Sequence, residues 1–321
     1  MVVEPGSSMR RRLRQLPRVE RVFSSHGNNI RAWIRALRLH QWSKNVLIFL
    51  PAAAAHRLLQ RDVALASIAA FVIFGLCASG TYLLNDLMDL DADRHHLVKR
   101  DRPFAAGSLS LGLGLLMALA LIIVGLVAAD LLLGWLFLAT LATYLIATVW
   151  YSRSLKRVPM VDVLALAGLY AIRVIAGAAA TAIIPSFWLL AFTMFLFLSL
   201  AMAKRYSELK LMMAAGRTHA SGRGYTIEDA PLLQACGVAA GYNSVLVMAL
   251  YVNSGIAVGT YTYTRPVFLW LLCPLLLYWI TRVWIKTSRG QMDSDPVVFT
   301  LQDLPSLGAA CAGLLLIWMA T

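Results

Sequence analysis

Asn85–Asp93 reads NDLMDLDAD and closes an apolar run, Ala64 to Leu84, with a basic tail of Arg94, Lys99, Arg100 and Arg102 directly after it. At the helical repeat, Asn85, Asp86, Asp89 and Asp93 fall within roughly a 100° arc of one face, and Asp91 points away from them. Three carboxylates and an amide on one face repel one another unless a cation sits between them. Oxygen-only ligands favour Mg²⁺, with Mn²⁺ as the substitute, and Mg²⁺ held by one or two carboxylates completes its shell with substrate phosphates. The stretch therefore reads as a diphosphate site whose neighbouring bases take the remaining charge. The alternative is a solvated helix end whose acids and bases pair across a loop.

The composition says where such a site stands. With 321 residues, 60% of them hydrophobic, 14% charged and a mean hydropathy of +0.69, the chain is too apolar for an ordinary soluble domain. It reads as an all-α polytopic membrane protein. Its net charge of +13 sits in alternate connections between apolar runs, which is membrane topology and excludes nucleic acid as the partner. Cys77, Cys236, Cys273 and Cys311 each lie inside an apolar run, so they read as small core residues. Residues 1–29 carry arginines but no apolar core of a signal peptide, and read as a disordered or surface-lying cytoplasmic arm.

Residues 30–321 form the membrane domain. Trp33, Arg35, Arg38, Trp42 and Lys44 mark an interfacial helix, with insertion beginning near Asn45. Apolar runs follow at 45–59, 63–86, 108–129, 131–150, 160–180, 185–204, 228–252, 265–285 and 303–321, so nine spans are expected. Of the 29 lysines and arginines, 25 lie on one side of that arrangement. The positive-inside rule then puts the N-terminus and the aspartate stretch in the cytoplasm and the C-terminus outside.

Further candidates share that side. Tyr151, Arg153, Lys156 and Arg157 close the fourth run, and Lys204, Arg205, Tyr206, Glu208 and Lys210 close the sixth in KRYSELK. Stop-transfer anchoring is the plainer reading of each loop alone. Arg173 lies in mid-span, where a guanidinium is costly unless it faces a cavity or a partner. Asp162 and Tyr170 fall near the same face as Arg173, which is expected either to line a cavity or to hold an internal ion pair. His95 and His96 flank the aspartates as surface or outer groups rather than metal ligands.

The pattern of Asn85, Asp86, Asp89 and Asp93 resembles NDxxDxxxD, the first motif of the UbiA superfamily of intramembrane prenyltransferases. The resemblance implies nine helices around a central cavity open to the cytoplasm and to lipid. Quinone-type members carry a second aspartate-rich motif after the sixth span, where this chain has KRYSELK. With QWSKN at Gln41–Asn45, KRDRPFAAG at Lys99–Gly107 and LYAIRVIAG at Leu169–Gly177, the chain is similar to the decaprenyl-phosphate phosphoribosyltransferase branch. That likeness implies transfer of 5-phosphoribose from phosphoribosyl diphosphate to a polyprenyl phosphate, toward lipid-linked arabinose donors of cell wall biosynthesis, in the cell membrane. The alternative is a prenyltransferase acting on an aromatic acceptor.

Carried over by position, Asp86, Asp89 and Asp93 would bind the metal, with Asn85 beside them and Lys44, Lys99, Arg100 and Arg102 on phosphates. Arg173 would act in catalysis, and Tyr151, Arg153, Lys156, Tyr170, Lys204, Arg205 and Glu208 would bind substrate. Oligomeric state is left open, a homo-oligomer included. Cysteine-accessibility labelling is expected to place residues 155 and 260 on opposite sides of the membrane. Labelling of both from one side would overturn the assigned topology.

Overall fold

The computed structural model describes residues 2–3, 22–23, 30–95, 99–214, 224–258, 263–292 and 296–320. The expectations for the basic arm over residues 1–29 and for His96 therefore fall outside the described residues, apart from a two-residue parallel ladder pairing Val2 with Val22 and Val3 with Phe23.

Everything else with regular structure is helical. A short α1 (Ile30–Leu37) leads into a 3-10 segment, Leu39–Phe49, and a five-residue α2, Leu50–Ala54. Then come α3 (Arg61–Met88), α4 (Leu90–His95), α5 (Leu111–Leu133), α6 (Trp135–Arg153), α7 (Val161–Thr181) and α8 (Phe187–Ala214). The chain ends in α9 (Ala230–Val258), α10 (Leu272–Ser288), α11 (Pro296–Gln302) and α12 (Leu304–Ala320).

Among the described residues seven helical segments are long and apolar enough to cross a membrane, the last of them Pro266–Ser288, a 3-10 stretch that continues into α10, which makes this a multi-pass membrane protein. They account for seven of the nine expected spans. The ninth run is the shorter α12, 17 residues long. The first run, 45–59, is the 3-10 segment followed by α2, because Pro51 has no N–H to continue a preceding helix and starts a new one instead. Large apolar side chains stand outward on the spans, among them Leu116, Leu131, Trp135 and Ile146, each about two-thirds exposed or more, as lipid contact requires. Cys77 is buried as expected, whereas Cys311 is exposed on α12.

The described chain divides into two compact units. The first comprises Met1–Trp42 and Phe71–Leu132. Its core is Ala32, Ala36, Leu83, Phe104, Leu109 and Ala118. Trp42 is its anchor: the indole lies where a Cβ at Gly75 would sit, meets Phe71 edge-on at 6.0 Å, and donates to Ser79 Oγ at 3.0 Å. Ser79 in turn donates to the Leu37 carbonyl at 2.8 Å, taking up one of the acceptors left open at the end of α1.

The second unit comprises Ser43–Ala70 and Leu133–Thr321. Met202, Tyr206, Leu209, Leu233, Ile280 and Trp284 form its main core, on α8, α9 and α10. Ser199 joins those helices, accepting from Trp284 Nε1 at 3.0 Å and donating to the Gly237 carbonyl at 2.6 Å. On α7, a Cβ at Gly177 would overlap the backbone carbonyl of Ile48, so glycine there is what lets the 3-10 segment lie against the helix. Gly177→Ala is expected to cost roughly 1–3 kcal/mol of overpacking. Gly168→Ala, on the same helix with nothing near its Cβ, should be neutral or stabilising by up to about 1 kcal/mol. Thermal unfolding of both variants in detergent checks the pair, and equal midpoints would contradict the contact.

Candidate functional site

The acidic stretch belongs to the first unit. Although α3 ends at Met88 and α4 starts at Leu90, the backbone keeps the helical bond pattern: Asp89 N–H donates to the Asn85 carbonyl at 2.9 Å and Asp93 N–H to the Asp89 carbonyl at 2.8 Å. The face read from the spacing therefore survives the break. Asp86 and Asp93 are buried, Asn85 and Asp89 half-buried, and Asp91 exposed.

Burial of two carboxylates demands partners, and two arginines supply them. Arg102 Nη1 donates to Asp93 Oδ2 at 2.6 Å and to Asp86 Oδ1 at 3.2 Å. Arg38 Nη2 donates to the same Asp86 oxygen at 2.5 Å, while its guanidinium carbon lies 5.1 Å from the centroid of the Tyr82 ring. Arg38 also has φ +51°, a left-handed conformation that an L residue adopts at a cost of about 1–2 kcal/mol, and it sits at the junction of α1 and the 3-10 segment. Arg102 of the basic tail reaches into the acids, while Lys99 and Arg100 are exposed.

The donors here are hard oxygens, the right chemistry for Mg²⁺. Asp86, Asp89 and Asp93 are not, however, drawn into a ligand cluster. Among the described residues no three His, Cys, Asp or Glu side chains stand close enough to hold a metal, and guanidinium groups carry the positive charge beside Asp86 and Asp93. The donor set fits a divalent ion on condition that those contacts open.

A second constellation lies in the second unit, at the ends of α6, α7 and α8. Arg205 is 1% exposed and gives its donors to the protein. Nε bonds Asp162 Oδ2, Nη2 bonds Asp162 Oδ1 at 3.0 Å and the Tyr151 hydroxyl at 2.7 Å, and Nη1 bonds Glu208 Oε2 at 2.7 Å. Tyr151 donates to Asp162 Oδ1 at 2.7 Å. Three helices thus share one guanidinium. Glu208 keeps about a third of its surface, and Lys204, Lys156 and Arg153 are half-buried or exposed around the same helix ends.

Deeper in α7, Arg173 is 5% exposed. Nε donates to Asn45 Oδ1 at 3.1 Å, Nη1 to the Leu169 carbonyl, and Nη2 to the Tyr144 hydroxyl at 3.3 Å. The Tyr144 and Tyr170 rings lie 5.0 and 5.7 Å from the guanidinium carbon, and Lys44 Nζ is 5.7 Å from the centroid of Tyr170. On α7, Asp162, Tyr170 and Arg173 are all buried. The ion pair that Asp162 makes is with Arg205 on α8.

Three side chains in these constellations, Arg38, Asn45 and Tyr144, lie beyond what spacing shows. Arg38 gives no local signal, because nothing in its neighbourhood marks a left-handed residue 48 positions from its partner. Asn45 and Tyr144 reach Arg173 only through tertiary contact. Asp162 was legible as a charge at a span's start, without its partner.

These features define an all-α, multi-pass membrane protein with an aspartate-rich helix end and arginines buried within its spans. Residues 45–304 match the UbiA prenyltransferase family, and the chain belongs to that family. Over 280 residues it is 37% identical to the nodulation protein NoeC of Azorhizobium caulinodans, covering 86% of this chain and 88% of that protein. It is 35% identical over 315 residues to a Sinorhizobium fredii protein, y4nM; the match takes in 97% of this chain but only 61% of that relative's length. With the decaprenyl-phosphate phosphoribosyltransferase of Corynebacterium glutamicum it shares 36% identity over 193 residues, 57% of this chain and 56% of the relative. A solved UbiA homolog from Archaeoglobus fulgidus, bound to GPP and Mg²⁺, superposes with a TM-score of 0.63 at 18% identity, covering 89% of this chain and 99% of the other, which shows a common fold.

Removing Asp86 strands two arginines, so Asp86→Ala is expected to lower stability by about 1–3 kcal/mol, the range for hydrogen bonds to charged groups. Arg38 and Arg102 can turn partly to water, which keeps the loss below that of a fully buried pair. Asp91→Ala should stay within about 0.5 kcal/mol. Unfolding midpoints in detergent test this, and equal losses at the two positions would contradict the geometry.

Proposed function

We propose that the protein transfers 5-phosphoribose from phosphoribosyl diphosphate to a polyprenyl phosphate of the decaprenyl type, releasing diphosphate, at the cytoplasmic face of the cell membrane. The observation that carries the reading is the end of α8, where bases surround the single acid Glu208 and a buried arginine holds that acid. A polyprenyl diphosphate donor with a neutral aromatic acceptor has use for a second acidic, metal-binding cluster there. A phosphorylated sugar donor and an anionic lipid acceptor have use for bases. The relatives named decaprenyl-phosphate phosphoribosyltransferase support the same choice.

Asn85, Asp86, Asp89 and Asp93 would hold Mg²⁺, or Mn²⁺, against the diphosphate. The ion, when bound, supplies charge neutralisation of the leaving group. Arg38 and Arg102, released from the carboxylates, would turn to phosphate oxygens, with Lys99 and Arg100 adding charge from outside. Lys44, Tyr170 and Arg173 would serve one further phosphate, and Arg153, Lys156 and Lys204 another. Arg205 we assign to position Tyr151 and Glu208 rather than to touch substrate, since its guanidinium is already spent on three helices. The reaction breaks the bond from the anomeric carbon to the diphosphate oxygen, and the electron pair leaves with diphosphate. A lipid phosphate oxygen, already ionised, forms the new bond, so no general base has to take a proton.

The test is a competition of donors in membranes containing the pure protein: labelled phosphoribosyl diphosphate with decaprenyl phosphate, against labelled polyprenyl diphosphate with 4-hydroxybenzoate. Labelled lipid from the ribose donor, lost in EDTA and in Asp89→Asn, is the expected result. Prenylated aromatic product, with no labelled lipid, would replace this reading by the quinone-type one.

A further inference from the structure

We propose that Asn45 and Arg173, within the second unit, form a buried binding site for a phosphate oxyanion. The inference deepens the transferase reading and rests on it only for which molecule brings the phosphate.

Asn45 is 1% exposed, and its Nδ2 is a buried donor with no hydrogen-bond partner. The orientation of this amide is fixed chemically. Arg173 Nε, which can only donate, points at Oδ1. Flipping the amide would set donor against donor and leave the oxygen unmatched, so the NH₂ group must be the end that faces away from Arg173.

A buried donor without an acceptor is uncommon in a well-packed protein, and it identifies what is missing as an acceptor. The Arg173 guanidinium and the Lys44 ammonium, which both lie against the Tyr170 ring, make an anionic oxygen the acceptor these surroundings favour. A second unpartnered buried polar atom stands on α6. Thr148 Oγ1, one helical turn along α6 from Tyr144, also has no partner, and Tyr144 is itself bonded to Arg173.

The backbone is arranged to hold the pair. Gly177 is one turn beyond Arg173, and its missing side chain admits the Ile48 carbonyl, three residues past Asn45. The 3-10 segment is thereby pressed against α7 where Asn45 meets the guanidinium. Arg173 lies twelve residues into α7, roughly 18 Å from its start, a depth that a phosphate reaches on a lipid chain or by way of an open cavity. The two sources are polyprenyl phosphate and phosphoribosyl diphosphate.

Binding to the purified full chain in detergent decides the matter. The probes are a polyprenyl phosphate, the matching uncharged polyprenol, and phosphoribosyl diphosphate. Asn45→Asp keeps the shape and the contact to Arg173 but replaces the donor with a negative charge. It is expected to weaken one of the two phosphate probes roughly 10–100-fold while leaving polyprenol binding and the ligand-free unfolding midpoint close to wild type. The probe that weakens identifies the source. Arg173→Lys, which keeps the charge and loses the fork, is the second variant and decides the outcome if Asn45→Asp does not fold.

Unchanged affinity for both phosphates in the folded variants overturns the site, as does a wild type that binds polyprenyl phosphate no better than polyprenol and does not bind phosphoribosyl diphosphate. A wild type that makes no phosphoribosylated lipid, yet loses polyprenyl phosphate binding in Asn45→Asp, refutes the donor and keeps the site. Normal phosphoribosyl transfer with both variants binding like wild type does the reverse.

Discussion

The carboxylate of Asp86 is shared between Arg38 and Arg102, and the first unit is arranged around that sharing. A buried carboxylate at the end of a span is tolerable only with a counter-charge at hydrogen-bond distance. One arginine comes from the loop after α4, where Arg102 also bonds Asp93. The other comes from the turn after α1 and adopts a left-handed backbone to reach. That turn costs about 1–2 kcal/mol and a hydrogen bond to a charged group returns roughly 1.5–3 kcal/mol, reduced here because Arg38 remains a quarter exposed. The balance is near zero, so packing must hold the turn. Trp42 over Gly75, and Ser79 on the Leu37 carbonyl, supply that packing.

An anchor of the same kind stands in the second unit, with the opposite sign at its centre. Arg205 is the buried charge, and Asp162, Tyr151 and Glu208 surround it. Buried ion pairs contribute little net stability, because desolvation cancels most of the attraction. What this one supplies is register: the ends of α6, α7 and α8 satisfy the guanidinium together in one arrangement. The fold then carries two kinds of arginine. Arg205 is saturated by its own protein. Arg173 is held by an amide, a carbonyl and two tyrosines, and that amide's own NH₂ group has no acceptor.

Helical periodicity and membrane physics made much of this legible beforehand. Asn85, Asp86, Asp89 and Asp93 could be placed on one face, with Asp91 off it, because side-chain direction follows from spacing alone, and the i to i−4 bonds persist through the break at Asp89. Seven spans could be counted because length and apolarity suffice. The first expected span takes a different form, since hydropathy over 45–59 does not register that Pro51 ends the 3-10 segment and starts a five-residue helix. The partners of the buried charges were illegible. Arg38 with Asp86, Asp162 with Arg205 and Asn45 with Arg173 are separated by 48, 43 and 128 positions, and no local pattern encodes such pairings.

In the proposed reaction the acids of Asn85–Asp93, neutralised by arginines as they stand, exchange those arginines for a divalent ion that arrives with a diphosphate. Titration of Mn²⁺ into the purified protein, followed by electron paramagnetic resonance with and without diphosphate, measures that exchange. Mn²⁺ binding is expected to tighten roughly tenfold or more when diphosphate is present, a coupling that disappears in Asp86→Asn. Affinity for Mn²⁺ that is indifferent to diphosphate, or that survives Asp86→Asn unchanged, would contradict it.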